Sequence, residues 1–299
     1  ILWSWHLWFA PKTALDEIPV TNAQNKVYKF TNETLGWKPT KWIATSYSAP
    51  RTVKIKIEQT IANNGTKQVG EITITQDAYI ERRGTATYYQ WGRNNAFPGT
   101  DAALPQGSIV KGNDQIHMNN KIQYPNYFFT TKFLGGIIDP YDGLTKFHYF
   151  YNLWSMNNNR RGDNNAANNI EVVKTIYDPC PVGFNVPTNG AFSGFTTNGQ
   201  NQGPMNVNGT NVKATYDINS GHLFWTNSSK TETIYFPASG FRNAEDDKIK
   251  EANSFGDYWS ADPQDYNNGC VMGFSYDKVY PLFVNIRTYG FAVRPVAEK

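Results

Sequence analysis

Residues Ile1–Phe9 read ILWSWHLWF, an aromatic stretch whose burial decides the expected fold. In an extended chain Trp3, Trp5 and Leu7 share one face, and the opposite face is also largely apolar. The pattern therefore predicts a strand that is buried on both sides. The run is shorter than the ~20 apolar residues of a membrane-spanning helix, and it lacks the basic start and cleavage site of a signal peptide. We expect a chain that begins in a core strand to be the C-terminal part of a longer polypeptide, with any export signal upstream.

The composition indicates a β-rich protein with many loops. The 299 residues hold 28 basic and 25 acidic side chains, and this +3 formal charge is too balanced to predict binding to nucleic acid or to an anionic membrane. Charged residues make up 18% and aromatic residues 15%, while helix-forming stretches of Glu, Lys, Leu and Ala are scarce. Polar, neutral surfaces with many aromatics are common in extracellular and glycan-handling proteins.

Residues 51–76 carry the clearest strand pattern in the chain. RTVKIKIEQT and VGEITITQ each alternate apolar with polar residues, and NNG at Asn63–Gly65 between them is a turn signal. The segment is predicted to be a β-hairpin, inserted so that its removal leaves the rest folded. The side chains expected to face inward are Val53, Ile55, Ile57, Ile72 and Ile74.

Several aromatic segments are expected to be scaffold. Trp91 is predicted to pack in the core with Arg93 at the surface. Arg242 and Arg294 are expected at buried strand edges, where they stack on rings or pair with carboxylates. His6 is expected to be a hydrogen-bonded core histidine, because it lies in no catalytic or metal-binding motif.

Five segments, in this order, resemble one family. They are YYQWGR (88–93), KTIYDPCPVGFNVP (174–187), YFPASGFR (235–242), DYWSA (257–261) and RTYGFAVRPV (287–296). Together they are similar to the Fibrobacter-type major paralogous domain, which is widespread in surface proteins of Bacteroidales.

The resemblance implies a fold. It is a single α+β domain over residues 1–299, C-type-lectin-like and related to the formylglycine-generating-enzyme and sulfatase-modifying group, with long loops and the hairpin as an insertion. In that fold the termini share one sheet, so Ile1–Phe9 is expected to pair near the last strand, in GFAVRPV (290–296). Fold alone does not establish function.

The polar tract MNNNRRGDNNAANN (156–169) is the candidate ligand-binding loop. Trp154, Arg160, Arg161, Asp163 and Asn164 are proposed to hold a glycan by stacking and hydrogen bonding. The alternative is an ordinary surface loop. Arg161–Asp163 also spells the Arg-Gly-Asp tripeptide that integrins recognise, although the same residues simply favour a turn.

Calcium is considered at DPQDYNNG (262–269). Asp262, Asp265 and Asn267 offer the hard oxygen ligands that Ca²⁺ prefers. The Asn-Asp ligand pair of sugar-binding C-type lectins is missing, and a turn rich in Asp and Asn explains the segment equally simply. Apart from this site, no cofactor is expected.

The chain has two cysteines, Cys180 and Cys270. In an exported protein they are candidates for a disulfide, and in a cytosolic protein they are buried thiols. The formylglycine-generating relatives use a redox cysteine pair, but only Cys180 matches a position of the family pattern, in DPCP.

The expected function is a non-enzymatic adhesion or ligand-binding module on the outer-membrane surface, at a fimbrial tip or associated with a fimbrillin. Its expected partners are a glycan or a host or bacterial surface protein, together with other fimbrial subunits. Neither nucleic-acid binding nor a membrane span within this chain is expected. Two alternatives stay open: a purely structural pilus or surface-lipoprotein subunit, and an enzyme of the formylglycine-generating type.

Overall fold

The computed structural model describes residues 6–39, 50–59, 67–76, 84–101, 104, 107–112, 124–130, 152–157, 166–264 and 268–299. The strands are β1 (Glu17–Thr21), β2 (Val27–Thr31), β3 (Lys38–Pro39), β4 (Arg51–Gln59), β5 (Gln68–Gln76), β6 (Gly84–Thr85), β7 (Tyr89–Gln90), β8 (Val110–Gly112), β9 (Tyr127–Phe129), β10 (Phe184–Asn185), β11 (Gly221–Trp225), β12 (Thr233–Pro237), β13 (Phe241–Arg242), β14 (Ile249–Lys250), β15 (Gly256–Pro263), β16 (Asn268–Phe274), β17 (Val279–Ile286), β18 (Gly290–Phe291) and β19 (Val296–Ala297). The helical elements are the 3₁₀ segments Lys12–Leu15 and Asn189–Phe195 and one α-helix, α1 (Val212–Asn219).

The expected α+β, C-type-lectin-like fold is wrong. The described residues form small sheets, almost all antiparallel, and α1 is their one α-helix, so the architecture is β-sheet and does not clearly match a C-type lectin. The expectation of helices rested on the family resemblance. The residues themselves, with many β-branched and aromatic side chains and turn-forming Asn and Gly, favour strands, as the composition indicated.

Three sheets organise the described chain. Their strand orders are β1-β2-β19-β10, β14-β13-β18-β7 and β15-β16-β17. Two-stranded sheets add β11-β12, β3-β6, β4-β5 and the parallel pair β8-β9. The antiparallel neighbours β16 and β17 are separated by only four residues, 275–278, a short connection of the kind that antiparallel pairing allows.

The prediction for Ile1–Phe9 is not met over its described part. Residues 6–10 form no strand, and the side chains of Leu7 and Phe9 are 76% and 95% exposed; residues 1–5 lie outside the described part. His6 is half-buried, and a 2.6 Å hydrogen bond joins its Nδ1 to Tyr89 Oη, as expected for a structural histidine.

The two ends of the chain nevertheless share a sheet. Val296 of β19 pairs with Phe30 of β2, and the Thr31 amide donates to the Pro295 carbonyl at 3.0 Å. The N-terminal partner is therefore β2, some twenty residues later than the sequence pattern suggested.

Aromatic side chains fill the core between these sheets. The Phe195 and Phe224 rings stack at 4.4 Å, and the Phe236 ring packs edge-on against Phe195 at 5.0 Å and against Tyr258 at 4.9 Å. Each fully buried large side chain contributes roughly 1.5–3 kcal/mol. A second cluster surrounds Trp91, Trp154 and Trp259, which confirms Trp91 as a core residue.

Buried arginines hold the chain ends to the core. Arg242 forms a 3.0 Å ion pair with Asp101, and the Arg294 guanidinium lies 4.9 Å from the Phe236 ring, as the sequence suggested for both. Arg93 is not at the surface: it is 2% exposed and donates to the carbonyls of Tyr124 and Tyr127. Five donors on one planar group explain why arginine suits these positions.

The hairpin prediction is confirmed in its strands and wrong in its burial. β4 pairs with β5 from Arg51↔Gln76 to Gln59↔Gln68, while the predicted turn at Asn63–Gly65 lies outside the described residues. Val53, expected to face inward, is 58% exposed, and every described side chain of the two strands is exposed. We call β4 and β5 the ribbon.

Candidate functional site

A polar groove of about 350 Å³ opens where two hairpin turns meet the exit of the second 3₁₀ segment. The turns are the β1–β2 connection and the β11–β12 connection. Most of the lining residues carry an amide or a hydroxyl group, and we call the site the amide groove. It is lined by Thr21, Asn22, Ala23, Asn25, Gly194, Thr196, Thr197, Asn206, Asn227, Ser228 and Lys230.

Asn22 fixes the first wall of the groove. Its Oδ1 accepts from the amides of Gln24 (2.9 Å) and Lys26 (2.8 Å), which closes the β1–β2 turn. Its Nδ2 donates to Asn169 Oδ1 (2.7 Å) and to the Gly190 carbonyl (2.9 Å). A buried asparagine with all these bonds satisfied makes this turn a rigid part of the scaffold.

The floor is formed by close backbone contacts. Gly194 lies so near β1 that a Cβ there would approach the Thr21 carbonyl oxygen to 2.5 Å. Asn206 Nδ2 donates to the Gly194 carbonyl at 2.9 Å, and the Thr21 amide donates to the Thr226 carbonyl at 2.8 Å. The second of these bonds joins segments about 200 residues apart in the chain.

The β11–β12 turn forms the second wall. Asn227 Oδ1 accepts from the Ser229 hydroxyl at 2.7 Å, and the Lys230 amide donates to the Asn227 carbonyl at 3.3 Å. Lys230 has a left-handed φ of 53°, and Asn25 on the facing turn has a φ of 59°. Asparagine adopts this conformation readily, but for lysine it is uncommon.

The lining defines what the groove can bind. Amide and hydroxyl groups both donate and accept, and Lys230 is the one charged side chain among the lining residues. The described structure shows no intramolecular hydrogen bond from the side chains of Asn25, Thr197, Ser228 and Lys230, all of which are exposed. The groove lining contains no carboxylate, histidine or cysteine.

The candidate loop of the sequence prediction is not where this groove lies. Trp154 is fully buried: its indole nitrogen donates to the Arg93 carbonyl at 3.2 Å, and its ring lies 5.4 Å from that of Trp91. The prediction that Trp154 stacks on a glycan is therefore wrong, because its ring is part of the core. Arg160, Arg161, Asp163 and Asn164 lie outside the described residues.

The calcium candidate Asp262 is a buried structural carboxylate. It is 4% exposed and accepts from the Thr188 hydroxyl (2.7 Å), from the Asn189 amide (2.5 Å) and from Asn168 Nδ2. Both oxygens of this carboxylate are therefore hydrogen-bonded to protein donors. The other two candidates, Asp265 and Asn267, lie outside the described residues. In the part of the chain that the structure covers, no three His, Cys, Asp or Glu side chains cluster as metal ligands would.

The two cysteines are not joined by a disulfide in the structure. Cys180 and Cys270 are both present as buried thiols. Burial raises the pKa of the Cys180 thiol well above its usual value, and the nearby Asp178 carboxylate raises it further. The thiol therefore stays protonated and unreactive at neutral pH.

Two carboxylates away from the groove are strongly perturbed. Burial raises the pKa of Asp257 to about 7 and that of Asp178 to about 6. Asp178 accepts from the amides of Cys180 (2.7 Å) and Val186 (2.8 Å) and lies near the Lys174 ammonium group, which opposes the rise. Asp178 is buried and Asp257 is half-buried in β15. Both lie outside the groove lining, so we assign them structural roles.

Sequence reasoning did not find the amide groove. Its residues come from four short segments, each of which reads as an ordinary turn or loop rich in Asn, Ser and Thr. The sequence could have shown that Asn-rich turns lie between predicted strands. No local pattern in the sequence shows that the two turns face one another.

Comparison with known proteins adds one partial match. A family described as a domain of unknown function (DUF8237) matches residues 204–296. No curated protein and no solved structure matches the chain. The matched region begins two residues before the groove residue Asn206 and continues through α1 and β11–β18 into β19. None of the helices in the described part of the chain has the length and apolar character needed to cross a membrane.

Proposed function

We propose that this chain is a non-enzymatic ligand-binding module of a cell surface, and that its ligand is a saccharide held in the amide groove. The observation that carries the proposal is the lining itself: amide and hydroxyl groups that donate and accept hydrogen bonds, with Lys230 as the one charged side chain, on a concave surface. Sugar hydroxyls also donate and accept, so they match this lining better than a phosphate or an apolar molecule would. The volume falls within the ~300–1,000 Å³ of small-molecule sites.

Location at a cell surface stays a prediction. It rests on the composition and on the resemblance to surface-protein modules of Bacteroidales. By binding a glycan on a host or a bacterial surface, the chain would serve in adhesion. The formylglycine-generating alternative gains nothing from the cysteines, since burial holds the pKa of Cys180 high. The structural-subunit alternative is favoured by a different feature, the exposed ribbon.

A glycan-array screen of the full chain, followed by calorimetric titration of any hit, tests the saccharide proposal. The decisive variant is Asn25→Gly with Lys230→Gly. Both positions have left-handed backbones, so glycine removes the side chains without adding strain. We expect at least about tenfold weaker binding, or about 1.4 kcal/mol.

The matched control is Glu251→Gly, which makes the same type of change at an exposed left-handed position (φ 55°) outside the groove lining. It should bind like the original chain. A blank array with folded protein, or a hit whose affinity the double variant leaves unchanged, would refute the proposal.

A further inference from the structure

The ribbon is an isolated pair of long strands. β4 and β5 each contain nine residues, about 30 Å of extended chain. Among the described strands they pair only with one another. An isolated two-stranded hairpin is marginally stable in water, so an exposed one of this length calls for a partner.

One face of the ribbon is apolar. Cross-strand pairs place Val53 opposite Ile74 and Ile55 opposite Ile72, and Ile57 continues the row. Ile55 is 42% exposed, Val53 is 58% exposed, and the other three lie between these values. Together they expose on the order of 500 Å² of apolar surface, comparable with the largest patch on a typical monomer, which is often functional.

The opposite face carries the charges. Lys56 lies across from Glu71, and Glu58 forms ion pairs with Lys56 (2.8 Å) and Lys67 (3.1 Å). Such an amphipathic strand pair is typical of a sheet with one face covered and one face in water. In this chain none of the described residues buries the apolar face.

We propose that this apolar face is a self-association surface on which the ribbon of a second copy of the chain packs. The row from Val53 to Ile57 and its partners Ile72 and Ile74 hold no charge. Arg51 is the one charged residue of the two strands on this face, and it lies at the end of the row. The centre of an identical face therefore meets no like-charge repulsion and needs no complementary charge. A two-fold contact requires this self-complementarity. Two such faces stacked together form a small β-sandwich.

The size of the face sets the expected strength. Two copies would bury on the order of 1,000 Å² in total, at the lower limit of a specific interface. The dimer should therefore depend on concentration. This inference is independent of saccharide binding, because no ribbon residue lines the amide groove.

Sedimentation analysis of the full chain tests the inference. The concentrations run from about 1 μM to about 200 μM, a range in which a dimer with a micromolar dissociation constant passes through half-association. The original chain should shift from monomer to dimer with rising concentration. Ile55→Lys with Ile72→Lys should be monomeric over the whole range. Because the ribbon lies outside the core, the unfolding temperature of this variant at low concentration should match the original.

The matched control places two lysines on the charged face, through Thr52→Lys and Val69→Lys, where Val69 pairs with Glu58. It should dimerise like the original chain. If the lysine pair on the apolar face does not fold, Ile55→Thr with Ile72→Thr keeps the strand propensity and should weaken the dimer at least about tenfold. A monomeric original chain at every concentration, or equal loss of dimer in the control, would overturn the proposal.

Discussion

Replacing Arg294 by methionine should destabilise the protein by about 3–5 kcal/mol, because it leaves several buried hydrogen-bond acceptors without a donor. The Arg294 side chain is 1% exposed. It donates to the carbonyls of Thr31 (2.8 Å), Asn32 (2.6 Å) and Tyr235 (3.2 Å) and to the Thr34 hydroxyl (3.1 Å).

The magnitude follows from these four acceptors. Methionine retains much of the arginine volume, so little of the loss comes from packing. Each buried acceptor left without a donor costs about 1–3 kcal/mol, and the four losses are not additive because the chain relaxes. Burial lowers the pKa of Arg294 to about 10, so the guanidinium is still charged at neutral pH. Lysine offers three donors without the planar fork and should lose about 2 kcal/mol.

Urea unfolding at neutral pH measures this directly, and the same variants should melt several degrees lower. A suitable control is Lys29→Met in β2, which removes only an exposed ion pair with Glu17 at 2.8 Å and should cost less than about 1 kcal/mol. A loss below about 1 kcal/mol for Arg294→Met would show that the guanidinium does not hold the ends of the chain to the core.

Three further results are expected. Replacing residues 51–76 by a short Gly-Ser linker should leave the unfolding temperature within about 2 °C of the original, roughly the effect of ~1 kcal/mol in a chain of this length. A large drop would mean that the ribbon supports the core. Burial raises the pKa of Asp257 to about 7. Its contribution to the free energy of unfolding is therefore most favourable below about pH 4 and is lost as the pH rises through 7. Asp257→Asn should flatten the fall in unfolding free energy between about pH 4 and pH 8, and an unchanged slope would contradict the raised pKa. Cys180 and Cys270 should react with a thiol reagent only after unfolding, and reduction should leave the mass of the purified chain unchanged; a gain of two mass units would reveal a bridge.

Local strand positions could be predicted well where the pattern was strong. The alternation in residues 51–76 predicted both strands of the ribbon. The pattern was misleading at Ile1–Phe9, whose described part is exposed and forms no strand. Alternation shows which residues share a face, but an apolar face is equally compatible with burial and exposure.

Side-chain roles were predictable only in part. Arg242 and Arg294 are buried as expected, but neither lies at a strand edge: Arg242 is in the inner strand β13 and Arg294 is between β18 and β19. Arg93 was expected at the surface and is buried. Trp154 was assigned to a binding loop and belongs to the core. In each case the residue type limits the possible contacts, but the neighbours that decide among them come from distant segments.

The amino-acid sequence alone was sufficient to show a β-rich chain with little net charge, turn-forming Asn and Gly, and an amphipathic hairpin, because these properties depend on composition and on near neighbours. It could not show that Asn25 and Lys230 face one groove, or that the row beginning at Val53 is uncovered. Those facts depend on contacts such as the bond from the Thr21 amide to the Thr226 carbonyl. Burial and site geometry arise when segments far apart in the chain pack together, and no local pattern records that packing.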